Sequence, residues 1–107
     1  MEVTKLTDNA FAETIKDADK PLIVEFGASW CGPCRALDPL LKQIAEEYQD
    51  RVKVYKMDFD DAQKSAVDMQ VRSIPTTLFF NSGELQDRLI GAVPKSALVD
   101  RVEALVA

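Results

Sequence analysis

The sequence predicts an α/β fold, a three-layer sandwich with helices on both faces of a mixed sheet. Three observations carry that expectation. Strand-like apolar runs alternate with helical apolar stripes along the chain. The run "PLIVEFGA", residues 21–28, is apolar on both of its faces, as in strands buried between two layers. The last two strand-like runs are joined by Asn81, Ser82 and Gly83, the chemistry of a turn.

The elements follow in order. "VTKL", residues 3–6, is a short strand. Thr7 or Asp8 caps a first helix, whose Phe11 and Ile15 lie four apart on one face. Residues 21–28 form the buried strand. The helix after it shows the clearest stripe: Leu37, Leu40, Leu41, Ile44, Ala45 and Tyr48. Pro39 lies inside that stripe, so a kink or a break is expected there. "VKVYKMDFD", residues 52–60, sets Val52, Val54 and Lys56 against Lys53, Tyr55 and Met57, the alternation of a strand. "DAQKSAVDM", residues 61–69, is a short helix, and "TTLFF", residues 76–80, is a β-branched and aromatic strand. Gly83 is free to take positive φ in the turn, and "LQDRLIGA" pairs back as a hairpin. Pro94 opens a closing helix with Leu98, Val102 and Leu105 on one stripe. Periodicity leaves the strand order open.

The chain has 107 residues, which suits one domain spanning 1–107. Hydrophobic residues make up 47%, enough for a core without staples. The net charge of −5 and the lack of a basic cluster argue against binding nucleic acid or an anionic membrane. The N-terminus lacks a basic start followed by an apolar run, and no run is long enough to span a bilayer, so the expected compartment is the cytoplasm. There a disulfide is more often catalytic than structural.

The only cysteines, Cys31 and Cys34, stand in "WCGPC". A structural staple would close a loop of four residues and restrict little chain. A closed zinc site needs about four ligands, and the chain has two cysteines and no histidine. Burial as two inert small hydrophobes fits Cys34 but not Cys31, beside Gly32 and Pro33 at a helix start. The reactive reading fits best. At this spacing on a helix the pair approaches disulfide geometry. Cys31 also meets the unsatisfied N–H groups and positive end of the helix, which favour a thiolate. Lowering a thiol pKa from about 8.5 to about 7 raises the thiolate fraction at neutral pH roughly fifteen-fold. It also costs about four- to six-fold in nucleophilicity. The dipole alone therefore contributes only about three-fold, and the placement of the second thiol must supply the rest.

That thiol, one turn further in, must lose its proton. Without histidine the natural base is a carboxylate, and Glu25 stands in the apolar run six residues before Cys31. Burial would raise its pKa. Two readings stay open: a base or proton relay for Cys34, or an ion-pair partner of Lys56 on the neighbouring strand.

"WCGPC", then an amphipathic helix, "KMDFD", "SIPTTLFF", "NSGE" and "IGA" appear in that order over essentially the whole chain. In this the sequence resembles the thioredoxin family. The resemblance implies a central five-stranded mixed sheet flanked by four helices, and reversible dithiol–disulfide exchange with proteins. It makes Cys31 the attacking and Cys34 the resolving cysteine, and Pro75 a cis proline facing them. Trp30, Gly32, Pro33, Ile74, Pro75, Gly91 and Ala92 would form the apolar docking surface, and Lys56 matches the family's buried lysine. The resemblance implies no bound cofactor beyond the redox-active cysteine pair, and no metal. It also implies a monomer that reduces disulfide-containing proteins, carries electrons, and is recycled by a thioredoxin reductase. Two positions depart from the pattern: Glu25 stands where the family has aspartate, and Gly27 where it has a second tryptophan. Rival readings are an oxidase or isomerase of the same fold, and a redox-inactive binding module. Gly32 and Pro33 argue against the first, and the presence of both cysteines against the second.

Overall fold

The structure, a computed structural model, describes residues 3–107. These form β1 (Thr4–Lys5), a 3-10 turn (Asp8–Ala10), α1 (Phe11–Asp17), β2 (Leu22–Gly27), α2 (Gly32–Glu47) and β3 (Lys53–Asp58). Then come α3 (Gln63–Asp68), β4 (Thr76–Asn81), β5 (Glu84–Ile90) and α4 (Lys95–Val106). The sheet order is β1-β3-β2-β4-β5. β1, β3 and β2 run parallel, while β4 and β5 run antiparallel to their neighbours. The sandwich with a mixed five-stranded sheet is therefore the one expected, with strand ends moved by a residue or two.

Alternation along the strands divides the core. Leu22, Val24 and Phe26 of β2 face one way, with Met57 and Leu78, and are covered by Phe11 and Ile15 of α1 and Ala66 of α3. Ile23 faces the other way with Val54 and Phe79, beneath Leu37, Leu41 and Ile44 of α2 and Leu98 and Val102 of α4. By the same alternation Glu25 and Gly27 lie on the α2 side, as do Lys56 and Asp58 of β3. The central strand places its polar residue at the end of one core, under the start of α2.

One local expectation is corrected. Thr7 makes no side-chain cap, and Asp8 does not cap α1. Asp8 instead accepts from the backbone N–H groups of Lys64 and Ser65 and from the Ser65 hydroxyl, so it caps α3 across the fold. Local sequence shows a cap residue but not which helix it will meet. α2 runs unbroken through Pro39. In the hairpin, Gly83 adopts φ +80° as its chemistry requires.

Candidate active site

β2 ends at Gly27, and the chain turns through Ala28 to Trp30 before α2 begins. Pro33 occupies the first turn, where its missing N–H costs nothing. Cys31 is the N-cap, with extended φ −92° and ψ 111°. Its sulfur accepts from the Cys34 backbone N–H at 3.2 Å, filling one of the helix's orphan donors. The two cysteines are joined as a disulfide with Cα atoms 5.3 Å apart. Both are buried, Cys34 completely, and they form a small cluster with Ala28 and the partly buried Ile74.

Beneath Cys34 lies Glu25, 0% exposed. Its register neighbours are Lys56 on β3 and Thr77 on β4. Among the described residues neither Glu25 carboxylate oxygen has a hydrogen-bond partner, nor does the buried Thr77 hydroxyl. A Cβ built on Gly27 would overlap Glu25 Oε2, and would stand 3.1 Å from its Cδ and 3.3 Å from Cys34 Sγ. The carboxyl therefore occupies the space a side chain at position 27 would take, beside the sulfur. Burial pushes the Glu25 pKa up to about 7, helped by the Asp38 carboxylate and opposed by the Lys56 ammonium.

Of the two readings left open for Glu25, the ion pair with Lys56 does not form among the described residues. Lys56 Nζ instead meets Asp38 Oδ2 of α2 at 2.7 Å, and its side chain is 36% exposed. It is half-buried rather than a buried lysine. The flexible stem lets the ammonium reach a carboxylate nearer solvent, where desolvation costs it less. Asp38 was missed in the sequence. It reads as a polar gap in the α2 stripe, yet it lies four residues after Cys34 and so shares its face. Its second oxygen, Oδ1, is buried without a partner. Gly27, Asp38, Lys56 and Asp58 line a cleft of about 440 Å³ between β3 and α2, with Leu41 and Ala28.

Directly before Cys31, Trp30 is 64% exposed, and its indole N–H donates to Asp60 Oδ2 at 2.7 Å. The Ile74–Pro75 bond is cis. Gly91, at φ +93°, donates its N–H to the Pro75 carbonyl at 2.8 Å, which ties that turn to the cis segment. Gly32, Pro33 and Ala92 are exposed. Two further residues here were missed: Asp60, which holds Trp30, and Ile90, 62% exposed beside Gly91.

Two cysteines bonded across the first turn of a helix, with one sulfur at the helix N-terminus, have one ready chemistry: exchange with other disulfides. The family model for thioredoxin matches residues 2–104. A thioredoxin of Porphyra purpurea is 47% identical over 98 residues, covering 92% of each chain. A thioredoxin of Rickettsia prowazekii is 42% identical over 98 residues, 92% of this chain and 93% of that one. A chloroplastic M-type thioredoxin of Spinacia oleracea is 42% identical over 102 residues, covering 95% of this chain but only 56% of its own length. The chain thus spans little more than half of that plant relative. It belongs to the thioredoxin family. Among the described residues no helix is long and apolar enough to cross a membrane.

Proposed function

We propose that this protein reduces disulfides in other proteins, with Cys31 attacking and Cys34 resolving. The observation that carries the reading is the different placement of the two sulfurs. Cys31 Sγ sits at the N-cap of a sixteen-residue helix and accepts an amide N–H there, while Cys34 is sealed beneath it beside a buried carboxyl. Cys31 thiolate attacks the substrate disulfide, forming a mixed disulfide and releasing one substrate thiol. Cys34 then gives its proton to Glu25 and attacks the Cys31 sulfur. The Cys31–Cys34 bond forms, the bond to substrate breaks, and the second substrate sulfur leaves reduced and takes up a proton. A pKa of about 7 suits Glu25 to accept and return a proton near neutral pH. Lys56 and Asp38 act at one remove, by adjusting in opposite directions a pKa that burial raises.

Trp30, Gly32, Pro33, Ile74, Pro75, Gly91 and Ala92 are the proposed docking surface, with exposed Ile90 added at its edge. A reductase partner restores the dithiol, and the protein works as a monomer in the cytoplasm. The chemistry needs no other cofactor.

Trapping tests the division of labour. Cys34→Ser is expected to accumulate a stable mixed disulfide with a protein substrate such as insulin, and Cys31→Ser little. Equal trapping by both variants overturns the assignment. Equilibration of the wild type against a glutathione buffer then separates a reductant from an oxidase or isomerase.

A further inference from the structure

Gly27 has no conformational reason to be glycine. It lies within β2, opposite Asp58 of β3, and only Gly83 and Gly91 are the glycines with positive φ. Glycine weakens a strand interior, and it often marks a place where another group approaches the backbone closely. Here the approaching group is the Glu25 carboxyl, two residues earlier on the same face. The same missing Cβ would also touch Cys34 Sγ. Acid and sulfur thus flank one point, and they are no farther apart than the two distances from that point combined. Proton transfer is in reach, directly or through one water. Gly27 also lines the cleft shared with Asp38, Lys56 and Asp58, so the fully buried carboxyl in the place of its missing side chain lies directly behind a cleft-lining residue.

We propose that Gly27 is a positioning residue for the exchange reaction: its missing side chain leaves the space through which the longer Glu25 acid reaches Cys34 and exchanges its proton with the cleft. The inference rests on Glu25 as the base, and adds why a glutamate can work there. The groups facing the carboxyl are Lys56 from β3, Asp38 and Cys34 from α2, and the uncharged Thr77 from β4, with Asp58 beside Gly27 in register. A methyl at position 27 must displace the carboxyl, whereas shortening the acid to aspartate withdraws it from that space.

The experiment measures breakdown of a mixed disulfide between Cys31 and thionitrobenzoate, by release of the coloured thiol, as a function of pH. Wild type, Gly27→Ala, Glu25→Asp with Gly27→Ala, and Glu25→Gln are compared. The wild-type rate is expected to rise with pH through neutrality. Glu25→Gln, the test of the base itself, is expected to lose that step. Gly27→Ala is expected to slow breakdown by roughly a hundredfold and flatten the step, and adding Glu25→Asp is expected to restore most of both. If Glu25→Gln keeps the step, the base reading falls and this inference with it. If Glu25→Gln loses the step while Gly27→Ala keeps both rate and step, only the role of Gly27 is overturned. A double variant no faster than Gly27→Ala overturns it too. Should Gly27→Ala fail to fold, the double variant must fold and show the step; if it does not, the space is not what the carboxyl needs.

Discussion

The two faces of β2 differ although their residues alternate along one strand and all are buried. On one face Leu22, Val24 and Phe26 pack into a wholly apolar core against α1 and α3. Phe26 meets Phe11 edge-to-face with ring centroids 6.2 Å apart. On the other face Ile23 begins an equally apolar core, but the row then continues with Glu25 and ends with Gly27. The proposed proton chemistry thus sits at an interruption of one core, at the end where α2 starts. The intact face supplies the stability that lets the interrupted one hold an unpartnered carboxyl. Glu25 and Gly27 form one arrangement, because the carboxyl of the acid fills the space of the missing side chain.

The largest effect that would test this contrast is on the intact face. Phe26→Ala should cost about 3–5 kcal/mol in denaturant unfolding, while the folded variant resolves mixed disulfides at close to the normal rate. A loss of resolution as large as that of Glu25→Gln would break the separation between the two faces.

The next effect has the opposite sign. The folded pKa of Glu25, about 7, lies above its ordinary 4.5. The folded state therefore holds this proton more tightly than the unfolded chain does. Its stability relative to the unfolded chain is full below about 4.5 and is lost as pH rises through about 7. By pH 8 the loss amounts to about 3 kcal/mol. Glu25→Gln should recover most of it at pH 8 and change little at pH 4, as read from unfolding midpoints of the oxidised protein. Lost stability at pH 8 would mean that the carboxylate is held by a favourable partner after all.

The smallest effect concerns the ion pair at the edge of the interrupted face. Asp38 raises the Glu25 pKa and holds Lys56, which lowers it. Asp38→Asn removes the first influence and frees the second. The midpoint of the resolution rate against pH should move down by about one pH unit. An unmoved midpoint would show that burial alone sets Glu25, and that the Lys56–Asp38 pair belongs to the surface.

Much of the fold was legible because it rests on local periodicity. The α2 stripe, the run at 21–28, the β-branched 76–80 and the Asn81–Gly83 turn each announce their own structure. Cys31 and Cys34 were legible for the same reason, since three residues on a helix fix their approach. The partner of Lys56 stayed open in the sequence because its side chain is long enough to choose between Glu25 and Asp38, and only the packing of α2 over β3 offers it the second. Asp8 was misread because its partner helix begins more than fifty residues later. Short-range spacing thus determined the elements, the reactive pair and the presence of an acid on the strand leading to it. The tertiary structure alone decided which charge that acid would meet, because strand order and the seating of α2 set the distances between groups far apart in sequence. It alone showed that Gly27 is the space the acid occupies, since a missing side chain has no pattern until something fills its place.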